Sequence, residues 1–234
     1  MRVGAFSPLS LSDDPGRVSA LVFVVGCNLR CPFCHNHELV LPELAPQGPT
    51  LAADAVLAKL RERNGFLDGV VVSGGEPTLQ PDLGSFLAAV REAGLRTKLD
   101  TNGSRPEVLA ALLARGLLDY VAMDVKAPAA RYAEYVGVDV DVEAIGASMR
   151  MIRESDIDYE FRTTVAPGLG EADLIEIAEW IRDARRYMLQ PFRVPPEKHL
   201  VDPTWERRAA LSVDELRQAW RAIGSRVAAG GVRA

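Results

Sequence analysis

Cysteine is scarce in this chain and confined to one place. There are three in 234 residues, all within Cys27-Asn28-Leu29-Arg30-Cys31-Pro32-Phe33-Cys34. An odd number with no distant partner argues against a disulfide framework, and unpaired thiols fit a reducing compartment. No run approaches the roughly 20 apolar residues of a membrane span. The start, Met1-Arg2-Val3-Gly4 leading to Pro8 and Asp13-Asp14, has no signal-peptide h-region. The expected location is the cytoplasm, with no membrane partner. A basic excess is missing too: 27 Lys and Arg against 32 Asp and Glu give a net charge of -5, so no global field draws the chain to nucleic acid. Repeats, low-complexity tracts and Gly/Pro-rich breaks that would divide the chain are absent. With 48% hydrophobic residues, the length suits one core and a single domain over residues 1–234.

Thiolates usually hold iron–sulfur clusters in sets of four. Three would leave one iron of a four-iron cluster without a protein ligand and open to a substrate, as an open position marks a catalytic zinc site. A Cys3His structural zinc site using His35 or His37 is the plainer alternative. Against it, C-x3-C-x2-C is not a common zinc-knuckle spacing, and no second ligand pair follows.

An apolar, β-branched run over residues 20–25 reads as a strand buried on both faces, and 69–73, 96–101, 119–124, 159–165 and 186–190 read as the other strands. Helices are expected over about 52–63 with Thr50 as cap, 83–93 capped by Asp82 and closed by Gly94, and from Pro106 to just before Gly116. Two more are expected over 143–155 and 172–182. Six strands alternating with helices imply right-handed crossovers and a parallel sheet, hence an α/β fold. Beyond a Pro-rich stretch at 191–203, Ser212-Val-Asp-Glu215 is a capping box opening a C-terminal helix to about Val227, and residues 228–234 are expected to fray.

Polar groups collect just beyond the strands. The cysteines follow the first and Gly74-Gly75-Glu76-Pro77 the second; the third ends in Asp100-Thr101-Asn102-Gly103 and the fourth in Asp124-Val125-Lys126. The fifth carries Arg162, Thr163 and Thr164, and the sixth ends in Gln190-Pro191-Phe192. In parallel α/β folds that edge is where sites are built. Two glycines allow close approach of a ligand to the backbone, and Glu76 is placed to accept from an ammonium. Asp100 and Asp124 beside Lys126 suit a zwitterion or cation better than two helix caps. Alternation puts Arg162 on one face with Glu160 and Thr164, for ligand contact or an ion pair with Glu160. His199 is expected at the surface, and Trp180 and Trp220 in packing.

These stretches, with Pro15-Gly16-Arg17, His35-Asn36, Ser73 to Gln80, Lys98-Leu99, Ala122-Met123, Glu160 to Val165 and Leu189, resemble radical S-adenosylmethionine (SAM) enzymes over about residues 18–192. Within them the chain resembles the glycyl-radical-enzyme activases, those of anaerobic ribonucleotide reductase above all. The resemblance implies a partial (βα)6 barrel with a C-terminal extension over 193–234. It implies a [4Fe-4S] cluster on Cys27, Cys31 and Cys34, with the amino and carboxylate groups of SAM on the open iron. One electron, from a flavodoxin- or ferredoxin-type partner, breaks the S–C5′ bond; in activases the resulting 5′-deoxyadenosyl radical takes a hydrogen from a glycine of a partner enzyme. By motif, Phe33 and the backbone around Cys34-His35 meet the adenine, and Gly74, Gly75 and Glu76 hold the methionyl amino group. Asp124, Lys126 and Arg162 surround ribose and carboxylate, and Asp100, Thr101, Asn102 and Gln190 complete the set. Two aspartates and a SAM carboxylate repel, so a monovalent cation held by Asp100, Thr101, Asp124 and the Ala122 carbonyl is also expected. Other readings are a small-molecule enzyme like 7-carboxy-7-deazaguanine synthase, and a non-enzymatic zinc or iron–sulfur interaction module.

Overall fold

One sheet of eight strands organises the chain: β1 (Val3–Ser10), β2 (Ser19–Val24), β3 (Gly69–Gly74), β4 (Arg96–Thr101), β5 (Tyr120–Asp124), β6 (Asp158–Val165), β7 (Tyr187–Pro191) and β8 (Gly230–Val232). The computed structural model describes residues 1–41, 43–44, 51–196 and 199–233. Strands follow one another in space as in sequence; β1 runs antiparallel to β2 and every later pair is parallel. β1 and β8 are the two edges and do not pair, so the barrel is partial and open along one side.

Helices α1 (His37–Val40), α2 (Ala53–Arg61), α3 (Leu83–Glu92), α4 (Pro106–Ala114), α5 (Tyr132–Val136), α6 (Val142–Glu154), α7 (Glu171–Trp180) and α8 (Val213–Ile223) complete the regular structure. β2 and β3 are hydrophobic on both faces because their side chains are covered inside and out. Val70, Val71 and Val72 of β3 are fully buried in succession, each worth roughly 1.5–3 kcal/mol relative to exposure. No helix among the described residues is long and apolar enough to cross a membrane.

The six expected strands are β2 to β7, displaced by a residue or so at their ends. Pro106 opens α4, and Gly94 and Gly116 lie just beyond the ends of α3 and α4 with φ of 81° and 62°. The capping box forms at α8, where Ser212 N–H donates to the Glu215 carboxylate at 2.7 Å. Asp82 stands at the cap of α3 without a capping hydrogen bond. Thr50 lies outside the described residues, and α2 starts from Ala52 with no side-chain cap.

The C-terminal residues correct an expectation. Residues 230–232 form a strand: Gly230 and Val232 pair with Tyr187 and Leu189 of β7, while Ala234 lies outside the described residues. Gly230 has φ 151°, and a Cβ there would lie 1.9 Å from the Tyr187 carbonyl oxygen. Only glycine fits that contact, so a residue with poor intrinsic strand preference is required by its neighbour. β1 was also not anticipated. Its Gly, Ser and Pro content hides it, and Pro8 is tolerated because the strand is an edge.

Candidate functional site

At the C-terminal edge of β2 the chain enters the cysteine loop under tight backbone constraint. Gly75 N–H donates to the Val24 carbonyl at 2.9 Å and Glu76 N–H to the Gly26 carbonyl at 2.8 Å. A Cβ on Gly75 would sit 2.0 Å from that Gly26 oxygen, and Gly74 has φ 109°. The two glycines therefore first admit the chain's own backbone, one residue before Cys27. Arg30, which the sequence did not single out, holds the loop together. Its guanidinium donates to the Cys27 and Leu29 carbonyls at 2.7 and 2.8 Å, and its N–H to the Val136 carbonyl at 2.8 Å.

The expected cluster and SAM residues face one cavity of about 480 Å³ between this loop and the strand ends, whereas Ala122 and Thr163 are buried and not among its lining residues. Cys27, Cys31, Phe33, Cys34 and His35 come from the loop, and Gly74, Gly75 and Glu76 from the end of β3. Asp100, Thr101 and Asn102 come from the end of β4, Asp124 and Lys126 from β5, Arg162 from β6 and Gln190 from β7.

Glu76 is 1% exposed, and its carboxylate ties two strand ends together. Oε1 accepts from Thr78 N–H at 3.0 Å, Thr78 Oγ1 at 2.5 Å and Thr101 Oγ1 at 2.7 Å. Oε2 accepts from Asn102 N–H at 2.7 Å, which leaves this oxygen room for one further donor. Burial pushes the carboxyl above its ordinary range, against the pull of those hydrogen bonds.

Beside it lies a chain of alternating charge. Arg162 donates from Nε to Asp124 at 2.9 Å and from a terminal nitrogen to Asp100 at 3.2 Å. Lys98 Nζ is 2.5 Å from Asp100 and Lys126 Nζ 3.0 Å from Asp124. Burial alone would raise both aspartates; Arg162 foremost, with Lys98 at Asp100 and Lys126 at Asp124, outweighs it and holds both below the usual carboxylate range. Arg162 hydrogen-bonds these two acids and not Glu160, which is fully buried against Arg186 and Arg233. Lys98 was missed, though its place two residues before Asp100 on one strand put both on the same face.

Three cations thus hold two carboxylates, and of the three Arg162 and Lys126 line the cavity, where a ligand carboxylate could meet them. Of the residues expected to hold a monovalent cation, Thr101 donates its Oγ1 to Glu76.

Burial pushes the Cys27 thiol up to about 11 and the Cys31 thiol to about 12. Leu29 N–H and Asn102 Nδ2 approach Cys27 Sγ at 3.4 and 3.9 Å. Metal binding would displace the thiol protons, and Lys126 already favours thiolate at both positions. Among the described residues no three His, Cys, Asp or Glu side chains gather as one metal ion requires. Three sulfurs on one cavity wall, beside a lysine and amide donors, instead fit a larger anionic cluster. The Phe33 ring is 6% exposed and packs 6.3 Å from Tyr135 and 6.0 Å from Trp205. His199 is at the surface, 79% exposed at its side chain, and Trp180 and Trp220 pack at the margin of the core.

Known proteins share this pattern. The profile of the radical SAM superfamily matches residues 21–181. A Methanocaldococcus jannaschii protein provisionally named a glycyl-radical enzyme activating enzyme is 34% identical over 222 residues, 92% of this chain and 89% of that protein. The pyruvate formate-lyase-activating enzyme of Streptococcus mutans is 28% identical over 205 residues, 82% of this chain and 76% of the relative. The 7-carboxy-7-deazaguanine synthase of Methanopyrus kandleri is 35% identical over 133 residues, 48% of this chain and 51% of the relative. Among solved structures, Streptococcus suis SuiB bound to S-adenosylmethionine superposes with a TM-score of 0.64 at 16% identity, over 92% of this chain and 52% of that one. Escherichia coli coproporphyrinogen III oxidase gives 0.60 at 17% identity, over 92% and 54%. The chain spans about half the length of these two, and at such identity the likeness is one of fold.

Proposed function

The chain belongs to the radical SAM superfamily and is homologous to glycyl-radical enzyme activating enzymes, and from that premise we propose that it installs a glycyl radical in a partner enzyme. The observation that carries the proposal is the cavity itself. Three cysteines of one loop and polar groups from all five following strand ends face the same 480 Å³. The family implies a [4Fe-4S] cluster and SAM; here Cys27, Cys31 and Cys34 would hold the cluster.

When bound, these groups supply one-electron cleavage of the S–C5′ bond, and hydrogen transfer from the partner's glycine then yields methionine, 5′-deoxyadenosine and the glycyl radical. The chain's own residues bind and orient. Glu76 Oε2 has the acceptor position for the methionyl ammonium, beside Gly74 and Gly75 on the cavity wall. Arg162 and Lys126, which line the cavity beside their acids, meet the SAM carboxylate. The backbone around Cys34-His35 flanks the adenine, with Thr101, Asn102 and Gln190 around the remainder. A monovalent cation between Asp100 and Asp124 is a lesser part of the proposal. SAM cleavage at one rate in sodium, potassium and bulky organic-cation buffers would remove it.

The 5′-deoxyadenosyl radical reacts with almost any C–H bond, so specificity comes from which hydrogen is presented. The expected polar groups are assigned to SAM, and the barrel is open along one side. A glycine lets a backbone reach deep, because nothing projects from its Cα. The most specific form of the proposal names an anaerobic ribonucleotide reductase as partner and a cytoplasmic flavodoxin or ferredoxin as reductant. In the test, reduced protein, SAM and the reductase of the same genome are mixed without oxygen. A paramagnetic doublet that collapses when the partner's glycine α-position carries deuterium is expected. SAM cleavage without a partner radical would favour the second reading, a small-molecule enzyme, which the likeness to 7-carboxy-7-deazaguanine synthase supports over about half the chain.

A further inference from the structure

The Pro-rich stretch after β7 has no part in the function above, yet it ends against the cysteine loop. Phe192, Arg193 and Pro195 line the rim of the cavity. Further on, Val201 N–H donates to the Cys34 carbonyl and Asp202 N–H to the Pro32 carbonyl, each at 3.0 Å. Leu200 is buried beside them. Asp202 then caps a short 3-10 turn over Pro203–Arg207, its carboxylate accepting from Thr204 N–H at 2.9 Å. That turn drives Trp205 inward to 6.0 Å from Phe33 and 5.8 Å from Tyr135, with Arg208 stacked 4.4 Å over its outer face.

The cysteine loop is irregular, so its carbonyls need partners that a helix or strand would have supplied. Arg30 serves Cys27 and Leu29, and Cys34 N–H serves Cys31 at 3.0 Å. Pro32 and Cys34 are served from residues 201 and 202. Because a trans peptide sets C=O and N–H on opposite sides, fixing those two carbonyls also fixes the direction of the Phe33 and His35 amides. The third cysteine and the adenine-facing backbone are thus set by a segment 170 residues away in sequence, roughly the distance from Pro32 to Asp202.

We propose that residues 199–208 are a strap that positions the Pro32–Cys34 end of the cluster loop for SAM, with Trp205 as its positioning residue. The inference rests on the cluster reading above. Cluster and strap constrain the same peptide units from opposite sides, so assembly of one orders the other.

The experiment begins with iron content of the anaerobically reconstituted wild-type protein, then amide hydrogen exchange with and without the cluster. Close to four irons, and exchange at Val201 and Asp202 slowed at least tenfold on assembly, are expected. Four irons with unchanged exchange there overturn the strap alone; failure to bind iron overturns the cluster reading and the strap with it. Trp205→Leu should then keep its iron but raise half-saturating SAM about tenfold, since it removes two aromatic contacts, and should alter the reduced cluster's paramagnetic spectrum with SAM. Trp205→Phe should recover most of both. Trp220→Leu, which disturbs packing on Tyr187 at 6.1 Å in the same extension, should lower stability without moving either. If Trp220→Leu shifts SAM saturation as much as Trp205→Leu does, or if neither shifts it, the positioning role is refuted.

Discussion

Replacing Glu76 by alanine should damage two separable properties. In the folded protein its carboxylate accepts from the Thr78 and Asn102 amides at 3.0 and 2.7 Å and from the Thr78 and Thr101 hydroxyls at 2.5 and 2.7 Å. The hydroxyls can rotate to other acceptors, but the two backbone N–H groups cannot. Each buried donor left unsatisfied costs about 1–3 kcal/mol, so the pair sets a range of roughly 2–6 kcal/mol. Water entering from the cavity should hold the loss to the lower half. That remains a large share of a typical stability of about 5–15 kcal/mol. Glu76→Gln keeps one acceptor but turns an amide NH2 against the Asn102 N–H or the Thr78 donors, so about one such bond is lost, roughly 1–3 kcal/mol. Urea unfolding of the iron-free protein measures this term. Separately, loss of the charge-assisted bond to the SAM ammonium should weaken SAM binding about ten- to hundredfold, measured on reconstituted protein. An unfolding free energy within about 0.5 kcal/mol of wild type in Glu76→Ala would show that those amides do not depend on Glu76. Normal SAM affinity in a folded variant would show that Oε2 does not reach the ligand.

Changing any one of Cys27, Cys31 or Cys34 to alanine should remove most of the iron, because two thiolates hold a cluster poorly; stoichiometric zinc and no iron in protein purified without oxygen would contradict the cluster. Arg162→Met should weaken SAM binding by roughly ten- to hundredfold, since it removes a buried cation from the cavity wall, and an unchanged affinity would place the carboxylate elsewhere. The same residue governs acid stability. Asp100 and Asp124 have depressed folded-state values, so their contribution is present above the unfolded value near pH 3.9 and is lost as pH falls below it. Glu76 is raised and works in the opposite sense, its burial penalty easing as pH falls. Unfolding free energy should therefore fall as pH drops below about 4 in wild type, and less steeply in Arg162→Met; parallel pH profiles would refute the pairing.

Strands such as β2 and β3 were legible because burial on both faces forces a short apolar run, Ala20 to Val24 and Val70 to Val72, whatever their partners. The site was legible because each strand hands its polar residues to the same edge, so chain order alone foretold that Cys34, Glu76, Asp124 and Arg162 would meet. β1 and β8 were not legible. Their glycines and prolines are chosen by an edge position and by a 1.9 Å contact with the Tyr187 carbonyl oxygen, neither of which leaves a periodic trace.

What the sequence determined by itself was therefore local and repetitive: the strands, the helix ends, and the kinds of chemistry each strand end carries. Who holds whom was decided only in three dimensions. Glu76 saturates one oxygen on Thr78 and Thr101, Arg162 spans two aspartates rather than joining Glu160, and Trp205 and residues 201–202 fasten the cysteine loop from the far end of the chain. Those pairings follow from the distances between folded elements, and hydrogen bonds and ion pairs fall off too steeply with distance for sequence order to encode them.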